Sequence, residues 1–388
     1  MILNNVKLYG GNRPVNIIVD GDRIADVPGN NDNISSDDPL QLHFNNVVAF
    51  PGFINSHDHI DFNLFPQMGD RLFDNYNDWG KYTLKKYRED IDRVLKIPLQ
   101  LRVLWGIYKN LLCGITTVIN HGQRIDIDEP VINVFQNCHC LHSVEFEKNW
   151  KYKLNGSSSE KLFVIHIGEG KDAYSKKEID KLIRWNLFRK NIIGVHGIAM
   201  TEKQAESFKA LVWCPASNYF MFNETARVDI LKENTSVIFG TDSTLTAGWN
   251  LWDHLRQAKE ASLVNDEELF SMLTLKPATV WGFGNLGAIE KNKAADIVIA
   301  KSKSANNSSE HFFKTNPEDI LLIVHNGSIK LFDSVLLEQL QKDEISKMSF
   351  SKIIVNGSEK YVYGDLPALI KEVKKYYPEV IFPIVSTE

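Results

Sequence analysis

A chain of 388 residues with 43% hydrophobic and 24% charged side chains has the balance of a globular protein with a large core. Its net charge of -5, with basic residues scattered along the chain, gives no electrostatic case for nucleic acid or an anionic membrane. Four cysteines over this length do not make a disulfide framework, no apolar run reaches the ~18 residues of a membrane span, and no basic-then-apolar leader opens the chain, so a cytoplasmic protein acting on a small molecule is the expectation.

In chain order, Asn16-Ile17-Ile18-Val19, the turn Asp20-Gly21-Asp22 and Arg23-Ile24-Ala25-Asp26-Val27 read as a pair of short strands. From about residue 47 the rhythm changes to apolar runs alternating with helical patterns, the signature of βα units around a parallel sheet. Val47-Val48-Ala49-Phe50 leads to Pro51-Gly52-Phe53-Ile54-Asn55-Ser56-His57-Asp58-His59, followed by a loop carrying Phe62, Phe65, Phe73, Tyr76, Trp79 and Tyr82. Pro98 opens a helix that stops near Gly114. The run 114–119 ends at Asn120-His121.

The next stretch is short. Only 134–146 has strand character, and 149–160 reads as a polar loop. Cys138-His139-Cys140-Leu141-His142 has no distant partner pair at zinc-site spacing and is expected to pack in the core. The runs 162–165, 192–195 and 236–241 end at His166, His196 and Asp242. Ser175-Lys176-Lys177-Glu178 and Thr201-Glu202-Lys203-Gln204 both read as capping boxes opening helices. Strand patterns return at 295–300 and 322–327, and a tail adds a strand at 353–355 and a helix at 369–377.

Several apolar runs, each buried on both faces and each ending in a residue that can bind metal or move a proton, predict a (β/α)8-type TIM barrel with its site at the C-terminal strand ends. The short stretch after His121 leaves the fourth strand unassigned, so the barrel is expected to be distorted or short of one strand. The expected domains are a composite β-sandwich from 1–47 and 285–345, a barrel from 48–284, and a C-terminal extension, 346–388, at the contact of a homodimer.

His57-x-His59 alone is weak, because 11 histidines in this length give a chance His-x-His roughly 0.3 times. On a strand, however, positions i and i+2 face the same side and can clasp one ion. Imidazoles with a carboxylate suit a divalent transition metal, and an open position for water makes such a site catalytic. Bound zinc takes water from a pKa of about 15.7 to about 7, roughly 12 kcal/mol, and a neighbouring carboxylate must still protonate a leaving amine.

Pro51-Gly52-Phe53-Ile54-Asn55-Ser56-His57-Asp58-His59 resembles the first-strand motif of the amidohydrolase superfamily. His166-Ile167-Gly168-Glu169 is similar to the His-x-x-Glu of its aminohydrolase branch, which includes cytosine, guanine and S-adenosylhomocysteine deaminases and triazine hydrolases. Val195-His196-Gly197, Cys214-Pro215-Ala216-Ser217-Asn218 and Gly240-Thr241-Asp242-Ser243 follow in the family's order, so the likeness spans about 1–335.

The resemblance implies that His57, His59, His166 and Asp242 bind one Zn²⁺ or Fe²⁺, that Glu169 shuttles a proton, and that His196 orients the water with Asp242 assisting. The function expected is deamination of an aminated heterocycle by a metal-bound hydroxide, with His121, Phe62 and Trp249 as substrate contacts. Arg71 and Arg124 are expected at the surface. A second reading is a binuclear amide or cyclic-amide hydrolase with Glu145 as the bridging carboxylate. A third, of another class, is a non-catalytic binding protein on the same fold.

Overall fold

The computed structural model describes residues 1–30, 40–157, 160–303, 309–340 and 349–386. Two assemblies share the chain. The first is a continuous sheet of eleven strands built from both ends, and at its centre Val47–Pro51 pairs in parallel with Ile2–Leu8 and antiparallel with Ile297–Lys301. Outward from there run Pro14–Asp20 and Arg23–Asp26 on one side, and Ile320–His325, Ser328–Asp333, Ser358–Tyr363 and Phe350–Val355 on the other.

Period-two alternation explains why the central strands are apolar throughout. Val47, Ala49, Ile297 and Ile299 enter a core of the sheet's own, with Leu3, Ile17, Leu322 and Phe332, so the sheet closes on itself as a β-sandwich. Val48, Phe50, Val298 and Ala300 point the other way into the main core of the barrel. The C-terminal extension packs on its own chain. Its strands continue the sheet, its helix Leu366–Tyr376 lies against the helix Leu99–Leu112, and Phe382 sits edge-on to Trp105 at 4.7 Å.

The second assembly is the barrel. Its strands are Phe53–Asp58, Ile115–Asn120, Asn133–Phe135, His139–Ser143, Phe163–Ile167, Ile192–His196, Ala210–Trp213 and Ser236–Phe239, taken here as first to eighth. Strands one to three form one parallel ladder and four to eight another, and a bridge between Asp58 and Asp242 joins the first to the eighth. The fourth strand, unassigned from sequence, is therefore His139–Ser143, paired in parallel with the fifth.

What is missing is the helix before that strand. Only Gln136 to Cys138 separate the third strand from the fourth, too few for a crossover between paired parallel strands. Among the described residues these two strands pair with different neighbours and not with each other. The barrel is thus split along one seam.

Two local expectations are corrected. Residues 149–160 are not all loop, because Trp150 and Leu154, one helical turn apart, are buried and anchor the helix Trp150–Gly156. The helix expected to start at Ser175 starts at Ala173, since the Asp172 side chain accepts the Ser175 amide and takes the cap. The box at Thr201 forms as expected, with Gln204.

Candidate active site

The strand ends bring the chemistry-bearing residues together. His57 lies in the buried first strand, and His59 stands just past its end with the two rings 5.0 Å apart. His166 comes from the fifth strand and His196 ends the sixth. Asp242 follows the eighth strand by three residues, over Gly240, where a Cβ would stand 2.8 Å from that of His57. His196 and Asp242 adopt left-handed backbone, with φ of 71° and 61°. That conformation costs a non-glycine residue on the order of 1–3 kcal/mol and is kept where the surroundings over-determine it.

The donor atoms converge. Nε2 of His166 lies 3.2 Å from Nε2 of His59 and 3.3 Å from Nε2 of His57. Oδ1 of Asp242 lies 3.5 Å from Nε2 of His57 and 3.7 Å from Nε2 of His59. Donors around a four-coordinate ion with bonds of about 2.0–2.2 Å stand about 3.3–3.6 Å apart, and these four separations lie close to that spacing. Burial, aided by the neighbouring imidazoles, pushes His59 down to about 4 and His166 well below its ordinary range, which leaves neutral rings with ligand lone pairs. Burial alone would raise the Asp242 carboxyl, but the His57 hydrogen bond and nearby imidazoles outweigh it and hold it well below the carboxylate range.

A second layer fixes these groups. His166 Nδ1 is 2.8 Å from the carbonyl of His142, and His196 Nδ1 is 2.8 Å from Oδ1 of Asn218. Ser217 and Thr246 hydroxyls donate to Oδ2 of Asp242 at 2.7 and 2.8 Å. A donor on Nδ1 leaves Nε2 as the ligand atom, and carboxylates held from behind present a fixed oxygen. Sequence reasoning missed Thr246 altogether, and gave Ser217 and Asn218 no role although both lie in a recognised motif. The spacing of Asn218 from Cys214 places it one helical turn into Pro215–Phe222, under His196.

Glu169 is buried beside His196, its Oε1 3.4 Å from Nε2 of that ring. Its Oε2 has no hydrogen-bond partner among the described residues. Burial, with Asp242 and Glu178 adding repulsion, raises its carboxyl well above the ordinary range, while burial lowers His196 to about 4. Burial thus favours the neutral form of both groups. The turn bearing Glu169 is clamped on both sides: Glu178 accepts the Gly168 amide at 2.8 Å, and Glu169's carbonyl accepts the Tyr76 amide at 2.9 Å.

His59, His166, His196, Asp242 and Glu169 open onto a cavity of about 620 Å³ that Phe62, Tyr76 and Trp79 wall with aromatic surface. Tyr76 lies nearly parallel to His166, 8° between planes and 6.4 Å between centroids. His121 also faces the cavity, stacked 4.3 Å from His166, with Nε2 3.2 Å from the Leu141 carbonyl.

Two expected contacts lie elsewhere. Trp249 packs against the main core, and its carbonyl accepts from Cys113 Sγ at 3.7 Å. Glu145 is exposed and accepts a hydrogen bond from the Tyr174 hydroxyl, because the fourth strand ends at Ser143 and the chain turns outward before reaching it. A carboxylate bridge from Glu145 is thereby removed. Arg71 lies at the surface over the rings of Phe73 and Tyr82, and Arg124 is exposed.

Comparison with known proteins agrees with this geometry. The amidohydrolase family model matches residues 157–330. The chain is 22% identical over 384 residues to a 5-methylthioadenosine/S-adenosylhomocysteine deaminase of Caldicellulosiruptor saccharolyticus, covering 82% of this chain and 88% of that protein. It is 25% identical over 219 residues to a 5'-deoxyadenosine deaminase of Methanopyrus kandleri, about half of each.

Among solved structures, an adenosine deaminase from Xanthomonas campestris with bound zinc superposes with a TM-score of 0.71 at 15% identity, over 98% of this chain and 97% of that one. An atrazine chlorohydrolase from Arthrobacter aurescens TC1, complexed with zinc, gives 0.67 at 15% identity over 97% and 99%. With the family match over residues 157–330, the barrel and sandwich in common and the donor set converging at the strand ends, the chain is similar to the amidohydrolase family in sequence and fold.

Proposed function

We propose that this protein is a metal-dependent aminohydrolase that removes ammonia from an amino-substituted purine of a nucleoside, of the 5'-substituted adenosine kind that its sequence relatives act on. His57, His59, His166 and Asp242 are the ligand set, and the observation that carries the reading is the close spacing of their donors beside the buried carboxyl of Glu169.

A divalent ion there, zinc or iron(II), supplies the lowered pKa that makes water a nucleophile at neutral pH. The chain's own groups do the rest. The aromatic wall of Phe62, Tyr76 and Trp79 along the cavity suits a flat ring. His196, its Nδ1 held by Asn218, offers Nε2 to orient the water and Asp242 stands ready to take its proton. Glu169 gives its proton to a ring nitrogen as the C–O bond forms, takes the remaining proton of the added hydroxyl and passes it to the amine as the C–N bond breaks, and the proton taken by Asp242 then returns to Glu169. Water is consumed and one ammonia leaves.

The test is Glu169→Gln, with metal content and ammonia release from 5'-substituted adenosines measured together. Metal should stay at wild-type occupancy while turnover falls about 10²–10⁴-fold, the usual weight of a positioned acid–base group. Full turnover in that variant would remove Glu169 from the chemistry. A binding protein on this fold would release no ammonia in either form.

A further inference from the structure

At the seam between the third and fourth barrel strands stand two thiols that the proposed chemistry does not use. Cys138 and Cys140 have their sulfurs 3.7 Å apart, and both are partly exposed, whereas Cys113 and Cys214 are buried. Cys140 also lines the active-site cavity, so a small solute entering the site reaches its sulfur. Among the described residues neither belongs to a cluster spaced for a metal ion, which leaves the pair as a dithiol and not half of a zinc site.

Closing from 3.7 Å to an S–S bond of about 2.05 Å takes a shift of about 1.7 Å. The slack is present, because Cys138 lies just outside the fourth strand, in the three-residue junction that joins no ladder, while Cys140 is held in register with Val164. The hydrogen bond from Cys138 lowers the Cys140 thiol, which raises its share of thiolate.

We propose that Cys138 and Cys140 form a redox-active dithiol, closing to an intrachain disulfide that slackens the supports of the metal site. The oxidant is a small two-electron thiol oxidant such as an azodicarboxamide. The Cys140 sulfur adds to one azo nitrogen while the other takes a proton. The Cys138 sulfur then attacks Cys140; the S–S bond forms, the S–N bond breaks, and the hydrazine leaves with the second proton. Two thiols are oxidised and one azo group is reduced.

The coupling runs along the fourth strand. Directly after Cys140, the Leu141 carbonyl lies 3.2 Å from His121 Nε2, and the His142 carbonyl 2.8 Å from His166 Nδ1. A pull at Cys140 shifts the two carbonyls that aim these rings. This coupling rests on the deaminase reading, while the disulfide does not.

The experiment treats the metal-loaded protein with diamide. Two of the four thiols should be lost on titration after unfolding, and the tryptic peptide 125–148, which holds both cysteines and no other, should be two hydrogens lighter until dithiothreitol restores it. Ammonia release should fall several-fold, metal should pass faster to a chromogenic chelator, and both should recover on reduction. Cys138→Ser should keep basal ammonia release and lose the response to diamide. Four intact thiols, or adducts between chains, would overturn the dithiol. A disulfide that leaves both ammonia release and metal loss unchanged would overturn the coupling. If no substrate is found, chelator-trapped metal and peptide mass still decide the matter.

Discussion

Enclosed behind the proposed metal ligands, the Lys109 ammonium lies 2.9 Å from Asp58 and 3.0 Å from Asn63 Oδ1, with Lys109 1% and Asp58 0% exposed. Asn55, Asn63, Asn110 and Thr241 also donate to the Asp58 carboxylate, whose residue sits between His57 and His59. Removing one member of a buried, hydrogen-bonded ion pair strands the other charge and costs about 3–5 kcal/mol. Lys109→Met should lower stability by that amount in urea unfolding, and a loss under about 1 kcal/mol would mean the pair is not desolvated as described. At this scale the sequence was informative about ligands and silent about supports. His57, His166 and His196 announce themselves because apolar runs end in them, whereas Ser217 and Lys109 matter only through neighbours remote in the chain.

The helix Leu99–Leu112 owes its position to Gly106, where a Cβ would stand 1.9 Å from the Ile60 carbonyl oxygen of the short turn bearing Phe62. Gly80, in the helix Tyr76–Lys86, has open space at the same position. Overpacking costs about 1–3 kcal/mol, while Gly→Ala in an open helix position gains about 0.5–1 kcal/mol. Gly106→Ala should therefore lower the urea midpoint and Gly80→Ala raise it; the same sign for both would refute the close approach. Elements with a repeating pattern and a stop signal were legible, as in the helix from Pro98 and the strands at 297 and 320. The third and fourth barrel strands were not. They share eleven residues with no helix between them, and the rhythm that marks a βα unit is lost there.

Across the whole molecule, the two chain ends and the extension are held in one sheet. Lys360 binds Asp333 at 3.0 Å and the Glu318 and Ile320 carbonyls, tying the extension's strand to the family-like part of the sheet. Burial opposes the Asp333 charge, but Lys360 and the hydrogen bonds from Ser358 and Lys360 outweigh it and hold the carboxyl below its ordinary value. A carboxyl depressed on folding stabilises above its unfolded pKa of about 3.9, and the contribution is lost as pH falls through the lower folded value. The gap in urea midpoint between wild type and Asp333→Asn should thus be widest at about pH 5–7 and narrow below about pH 4. A gap that is unchanged at about pH 3 would contradict the assignment.

The central strand of that sheet also sets a timetable. Val47–Pro51 leaves the ribosome early, yet one of its two hydrogen-bonding partners is Ile297–Lys301, some 250 residues later. At translation speeds of about 5–20 residues per second, that edge waits roughly 13–50 s for its neighbour. For all that time a five-residue apolar edge, Val47-Val48-Ala49-Phe50-Pro51, can be seized by another nascent chain. The architecture that keeps both termini out of the barrel thereby leaves newly made protein with an unpaired central edge until residues 297–301 have emerged.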